Sequence, residues 1–234
     1  MRYPGGKNSV YHKIINLIPP HRVYIEAFAG SGAILRFKRP AGCSIAIDTE
    51  ASALEALRSS IVTNGDPVHK IEFVNADSIS WLAGYSFQGN EFVYADPPYV
   101  MSSRRQHRQL YRCEMSDTDH LRLLAVLKAI PCKVMVSGYW SEMYHQALAG
   151  WHTVNFEAIT RSGAKATEWL WMNYAPPIEL HDYRYLGENF RERERIKRKK
   201  QRWIDRLKKM PNLERQALLS ALDQLATFDD AGSR

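Results

Sequence analysis

The residues best placed to do chemistry are Asp96-Pro97-Pro98-Tyr99, which follow directly on the apolar run Phe92-Val-Tyr-Ala95. Two consecutive prolines hold the backbone extended and remove two amide donors, so carbonyl oxygens at the turn stay available as acceptors. A carboxylate, a rigid carbonyl and an aromatic face together suit a planar exocyclic amine. Asp96 and the Pro97 carbonyl each accept one of its N–H bonds, and Tyr99 stacks on the ring. Engaging both protons localises a lone pair that is otherwise delocalised into the ring and aims it at a methyl donor.

A second constellation lies upstream. Glu26-Ala-Phe28-Ala-Gly30-Ser31-Gly32 ends one apolar run and opens a helical pattern. Two glycines one residue apart at such a turn let the backbone approach a ligand at the carboxyl ends of parallel strands; tight packing of the turn explains them equally well. The next run ends in Asp48, about twenty residues on, where a carboxylate takes the ribose hydroxyls of an adenosine cofactor. The third ends near Asp77 and the fourth at Asp96. Each acid alone reads as a helix cap. Three at successive strand ends face one crevice.

The elements that must position these residues are short. Residues 22–28, 44–48, 71–74, 92–95, 133–137, 154–159 and 168–174 read as buried strands, and 50–63, 119–130 and 142–148 as helices. Alternation of strand and helix means a parallel sheet covered on both faces. Only about eight residues separate the last two strands, too few for a crossover helix, so an antiparallel pair ends the sheet. The expected fold is α/β: a Rossmann-like, seven-stranded, mostly parallel sheet with an antiparallel terminal pair, followed by a C-terminal helical hairpin.

Composition sets the outer bounds. The chain has 234 residues, 45% hydrophobic and 24% charged, enough to bury a core without disulfides. Cys43, Cys113 and Cys132 form no CxxC pair, which argues against a disulfide framework and a zinc site. No apolar run approaches the ~20 residues that span a bilayer. Arg2-Tyr3-Pro4 is unlike a signal peptide, so a cytoplasmic protein is expected. The net charge of +7 is unevenly spread: residues 191–209 hold eleven Lys or Arg against Glu192, Glu194 and Asp205. That stretch is either a solvated face or a partner for a polyanion. Glu188–Arg191, Glu192–Arg195 and Glu194–Arg198 favour a helix there. Ile196, Trp203, Leu207 and Met210 give it an apolar seam, Pro211-Asn212 breaks it, and residues 213–225 form a second amphipathic helix. The seam must pack on that helix or on a second copy in a homodimer.

In order along the chain, Arg2-Tyr-Pro-Gly-Gly-Lys7, Phe28-Ala-Gly-Ser-Gly32 and Asp96-Pro-Pro-Tyr99 resemble the D12 class of adenine-N6 DNA methyltransferases, the family of the DNA adenine methylases. Ser137-Gly-Tyr139 and Glu168-Trp-Leu-Trp-Met-Asn-Tyr174 resemble its phage-type members. The resemblance covers about residues 1–176 and implies S-adenosylmethionine as cofactor and no metal. It implies that Tyr3, Gly6 and Lys7 help hold the methionine part, that Glu26, Phe28, Gly30 and Gly32 line the centre, and that Asp48 takes the ribose and Asp77 the adenine. Asp96, Pro97, Pro98 and Tyr99 would hold the target base, with Asp96 also among the cofactor-binding residues. An Asp at the first position tilts the motif towards adenine rather than cytosine-N4 or glutamine.

One departure stands out. The family usually inserts a target-recognition domain between the third acidic strand and the Asp-Pro-Pro-Tyr strand, and here Asp77 and Asp96 are nineteen residues apart. Recognition falls to Arg104, Arg105, Arg108, Tyr111 and Arg112 after the turn, unless that segment is a plain solvated loop, and to the basic tail through Arg195, Arg198, Lys199 and Arg202. The expectation is a methyltransferase domain over 1–176, a linker at 177–187, a basic helical hairpin at 188–228 and a disordered end at 229–234. Its reaction is methyl transfer to adenine N6 of a base flipped out of duplex DNA, by an enzyme either orphan or paired with a restriction enzyme. RNA is the rival substrate. A non-catalytic nucleic-acid-binding protein is the rival from another class.

Overall fold

The computed structural model describes residues 7–62, 70–101, 114–159, 163 and 165–231. They form two compact units, 1–183 and 184–234. In the first, seven strands make one sheet: β1 Val23–Ala27, β2 Cys43–Asp48, β3 Lys70–Asn75, β4 Glu91–Ala95, β5 Lys133–Gly138, β6 His152–Ile159 and β7 Lys165–Met172. Their order is β3-β2-β1-β4-β5-β7-β6, parallel throughout except that β7 runs antiparallel to both β5 and β6. This is the expected seven-stranded, mostly parallel sheet with its antiparallel end. After a short 3-10 turn at Lys7–Ser9, the helices are α1 Tyr11–Ile15, α2 Ala33–Phe37, α3 Ala51–Val62, α4 Ser78–Gly84, α5 Asp117–Ala129 and α6 Glu142–Ala147.

The continuous apolar runs of β1, β4 and β5 sit at the centre, covered on both faces. Ile25, Val93, Val134 and Val136 are fully buried. Leu123, Leu124 and Leu127 of α5 close one side of the same core. Each such side chain stabilises the fold by roughly 1.5–3 kcal/mol. Ser116 caps α5 reciprocally with Asp119, which fixes where that helix starts. His120, one residue further on, is buried and bonded through Nδ1 to the Tyr144 hydroxyl at 2.9 Å.

Two strand ends differ from expectation. β1 stops at Ala27 because Phe28 takes a φ of 64°, outside any strand conformation. β7 begins at Lys165, paired with Ile159, and ends at Met172. Asn173 leaves the ladder there because its side chain accepts from Val134 N–H and donates to the Cys132 carbonyl, both at 2.8 Å. The segment expected as a linker is anchored at its middle. Leu180, His181 and Asp182 are buried, Asp182 Oδ2 accepts from Arg39 N–H at 2.8 Å, and the His181 ring stacks on His21 at 3.9 Å.

The second unit consists of α7 Phe190–Lys209 and α8 Asn212–Ala231. Asn189 caps α7 by accepting from Glu192 N–H at 3.0 Å. Arg195 pairs with Glu192 as expected, but Glu194 pairs with Lys197, and Arg198 donates to the Glu194 backbone carbonyl instead. These pairs are solvent-exposed and contribute a few tenths of a kcal/mol each. Trp203, Leu218 and Leu222 remain 56%, 44% and 53% exposed, so the apolar seams of both helices are largely open. Among the described residues no helix is long and apolar enough to cross a membrane, and no cluster of His, Cys, Asp and Glu could hold a metal ion.

Candidate active site

The strand order reverses direction between β1 and β4, and in open α/β sheets a crevice for ligands opens at such a switch point. β1 and β4 pair in register, Ala27 beside Ala95, so the segments following them leave the sheet side by side. Asp96 N–H bonds back to the Ala27 carbonyl at 3.4 Å. The glycine turn and the Asp-Pro-Pro-Tyr turn are therefore immediate neighbours.

The glycine turn is tightly wound. Phe28, Gly30 and Gly32 have φ values of 64°, 49° and 59°. For Phe28 this left-handed conformation costs roughly 1–2 kcal/mol, and strain of this kind collects at functional turns. Gly32 has no room for a side chain: a Cβ would lie 2.4 Å from Leu57 Cδ1. Gly30 N–H donates to Asp48 Oδ2 at 2.7 Å, and Glu50 N–H to Asp48 Oδ1 at 2.8 Å. A carboxylate offers about four lone-pair sites, so Asp48 can also accept from a ribose hydroxyl. Burial pushes its carboxyl above the usual range, partly offset by bonds from the Glu50, Gly30 and Thr49 amides. Asp77 caps α4, with Oδ2 accepting from Ser80 N–H and Ser80 Oγ at 2.9 and 2.7 Å. Its side chain stays exposed at the end of β3. The donor set fits an adenosine-bearing cofactor laid across the ends of β1, β2 and β3.

Glu26 lies deeper. Its Oε2 accepts from Leu35 N–H at 2.8 Å and from the Tyr24 hydroxyl at 3.1 Å, which ties the first turn of α2 to β1. Burial pushes its carboxyl up to about 7. Glu26 thus helps hold the scaffold beneath the glycine turn.

Around Asp96 the structure brings together residues from four parts of the chain. Lys7 Nζ donates to Asp96 Oδ1 at 2.6 Å, to the Tyr99 hydroxyl at 2.5 Å and to Glu168 Oε1 at 2.8 Å. Ser137 Oγ also donates to Asp96 Oδ1, at 2.8 Å, and lies 2.9 Å from the Tyr94 hydroxyl. The Tyr99 hydroxyl donates to Glu168 Oε1, and its ring meets that of Tyr139 at 4.4 Å. Both bonds to Asp96 fall on Oδ1, so Oδ2 takes neither of them. The side chain keeps 20% of its surface exposed. Burial raises the Asp96 carboxyl above its ordinary range, with Lys7 pulling it back down and Glu168 pushing it further up. Lys7, read from the sequence as a methionine-binding residue, lies between the two carboxylates, which raise its ammonium well above the usual lysine range despite burial.

Sequence reasoning did not assign Glu168 or Ser137 a role. Both stood in view, one a lone acid before Trp169-Leu-Trp-Met, the other at the end of a strand, but nothing in their neighbours named a partner. Tyr3 and Gly6, and all of Arg104, Arg105, Arg108, Tyr111 and Arg112, lie outside the described residues. Arg195, Arg198, Lys199 and Arg202 are exposed on α7, at helical spacing on one face. Cys43 and Cys132 are free thiols, and burial pushes Cys132 up to about 12, which leaves it unreactive.

The model of the D12 class N6 adenine-specific DNA methyltransferase family matches residues 68–169. That span contains Asp77, the Asp96–Tyr99 turn, Ser137 and Glu168, while Lys7, the glycine turn and Asp48 precede it. No curated protein matches the chain in sequence. Among solved structures, precorrin 8W decarboxylase of Methanobacterium thermoautotrophicum is 13% identical with a TM-score of 0.50, covering 74% of this chain and 94% of its own. A candidate methyltransferase from Streptococcus mutans in complex with SAH is 10% identical, with a TM-score of 0.47 over 74% of this chain and 99% of its own. A candidate methyltransferase from Escherichia coli is 17% identical, with a TM-score of 0.47 over 75% and 92%. At 13% identity the first of these shows a shared fold and no more.

Proposed function

We propose that this protein is an S-adenosylmethionine-dependent methyltransferase acting on the N6 amino group of adenine in DNA. The observation that carries this reading is the adjacency of the two turns at the β1–β4 switch point, one built to take an adenosine-bearing cofactor, the other to take an amine. The family match over residues 68–169 supports the choice of adenine.

In this reading Asp48 holds the ribose, Asp77 the adenine of the cofactor, and the backbone from Phe28 to Gly32 the centre of the molecule. When bound, S-adenosylmethionine supplies an electrophilic methyl group. The chain's own residues prepare the amine. Asp96 Oδ2 and the Pro97 carbonyl each accept one N6–H, Tyr99 stacks on the base, and Pro98 stiffens the turn. A base must leave the duplex to reach this site. Lys7 and Ser137 fix Asp96 through Oδ1, which orients the carboxylate for the amine. Asp96 is also the nearest base to the proton that N6 gives up.

Transfer of tritiated methyl from S-adenosylmethionine to unmethylated DNA and to RNA, run side by side, tests the substrate. Labelling of N6-methyladenine in DNA is the expected result; labelling confined to RNA, or none, overturns it. Only α4 and β4 with their short connections lie between Asp77 and Asp96, nineteen positions apart. Few side chains are left to read base edges, and each good bidentate contact discriminates by about 1–3 kcal/mol. Sequencing the methylated adenines should therefore show a short or relaxed site.

A further inference from the structure

Glu168 is a buried acid in the inward half of β7, only 5% exposed, followed by Trp169, Leu170, Trp171 and Met172. Taking a carboxylate out of water costs several kcal/mol unless good partners receive it. Its partners here are two residues of the proposed base site: Oε1 accepts from Lys7 Nζ at 2.8 Å and from the Tyr99 hydroxyl. Lys7 in turn reaches Asp96. One ammonium thus stands between two carboxylates. With Asp96 alone the ion pair would be neutral; with both carboxylates ionised, Glu168 would bring the cluster to one negative unit.

Resting on the reading of this site as a methyltransferase, we infer that Glu168 is a positioning residue that holds Lys7 and Tyr99 in place and keeps the cluster net negative as the target amine becomes cationic. An amine nitrogen that forms a fourth bond gains positive charge until a proton leaves. A neutral Lys7–Asp96 pair would offer that charge little, whereas the extra carboxylate favours it in a site of low dielectric. The bond to the Tyr99 hydroxyl has a second effect: with the Tyr139 contact at 4.4 Å, it fixes the plane of the ring on which the base would stack. Glu168 touches neither the base nor the methyl donor in this arrangement. It acts through its two neighbours.

The test is Glu168→Gln in the full chain, which keeps the shape and an acceptor for Tyr99 but removes the charge. S-adenosylmethionine affinity should stay within about threefold of the parent, while kcat falls roughly 10- to 1,000-fold, the range for losing a preorganised group at a reacting centre. A ligand-free readout is the ¹³C titration of the Asp96 carboxyl, assigned by its loss in Asp96→Asn. Removing a like charge should move its midpoint to lower pH. Lys7, Tyr94, Ser137 and Glu26 also face Asp96, from the N-terminal turn, β4, β5 and β1, and all are unchanged in the variant. A Gln variant with the parental kcat and an unmoved midpoint overturns the role of Glu168. Should that variant fail to fold, Glu168→Asp replaces it: the charge is kept, so the midpoint should hold while kcat falls, and a parental kcat overturns the inference. A parent chain that methylates neither DNA nor RNA overturns the functional reading itself, a result distinguishable from an active parent with an equally active variant.

Discussion

Lys7 Nζ lies 2.6 Å from Asp96 Oδ1, across 89 residues of chain. This pairing joins the N-terminal turn to the end of β4 and favours the ionised form of Asp96, against desolvation and Glu168, which raise its carboxyl above the ordinary range. An ionised Asp96 is what accepting from an amine requires. Asp96→Ala, and the closer mimic Asp96→Asn, should keep S-adenosylmethionine binding and lose catalysis by about 10²-fold or more, scaled from removing a positioned polar group at a reacting centre. Single-turnover methyl transfer with calorimetry of cofactor binding measures both. An Asn variant that methylates near the parental rate means Asp96 does not hold the amine.

Gly32 is expected to tolerate no side chain. Its φ of 59° and the 2.4 Å approach of a Cβ to Leu57 Cδ1 act together. Left-handed strain of roughly 1–2 kcal/mol and overpacking of about 1–3 kcal/mol place Gly32→Ala about 2–5 kcal/mol below the parent in stability. Cofactor affinity should drop with it, since the turn must shift. In a Leu57→Ala background the same change should cost less, by the steric share alone. Equal costs in both backgrounds, measured by urea unfolding, would show that the clash is not the cause.

The folded-state carboxyl of Glu26 titrates near 7, above its ordinary value of 4.5, because burial disfavours the anion. The sign follows from proton counting: between those two values the folded chain holds a proton that the unfolded chain has released. Stability contributed by the neutral acid is therefore present below about pH 4.5 and is lost as pH rises towards 7, by about 3 kcal/mol in all. His21 and His181 work in the opposite direction. Burial beside Lys38 lowers them to about 2 and about 4, so they erode stability as pH falls below 6.5. Subtracting the pH dependence of a Glu26→Gln variant from that of the parent cancels the histidines. The difference should grow with pH from 4.5 to 7 and then level off; a flat difference would show that Glu26 ionises freely in the folded chain.

The strands and both turns were legible in the sequence because each depends on local chemistry: apolar runs of strand length, prolines that hold an extended turn, and glycines that take a positive φ. What escaped reading depends on partners far away in the chain. Glu168 meets Tyr99 across 69 residues, and Asp182 anchors the Arg39 amide across 143. Nothing adjacent to either acid identifies its partner. Lys7 is the same problem in another form. Its motif was plain, but its bonds to Asp96 and Glu168 come from the sheet that brings those carboxylates together. Phe28 is a third case: a bulky residue at φ 64° is held there by the pairing of Ala29 N–H with the Ile47 carbonyl at 2.8 Å, a tertiary contact.

The basic face of α7 should supply affinity for nucleic acid rather than catalysis. At 20 residues the helix is about 30 Å long, and duplex DNA presents a phosphate charge roughly every 1.7 Å along such a length. Not all eleven cations of residues 191–209 can face one groove, but Arg195, Arg198, Lys199 and Arg202 share a face and are exposed. About five neutralised phosphates for the whole chain would give a slope near −4.5 in log affinity against log salt. Replacing those four residues by Gln should flatten the slope by up to about 3.6 if all of them touch phosphates, at ~0.9 for each phosphate no longer neutralised. The apparent KM for DNA should rise while S-adenosylmethionine affinity holds, because the glycine turn, Asp48 and Asp77 all belong to the other unit. The measurement is DNA affinity from 50 to 200 mM salt, a range over which a change of several charges is easily resolved. A variant whose slope matches the parent would assign this face to solvent, and the basic stretch to the solubility of a helix whose apolar seam is still open.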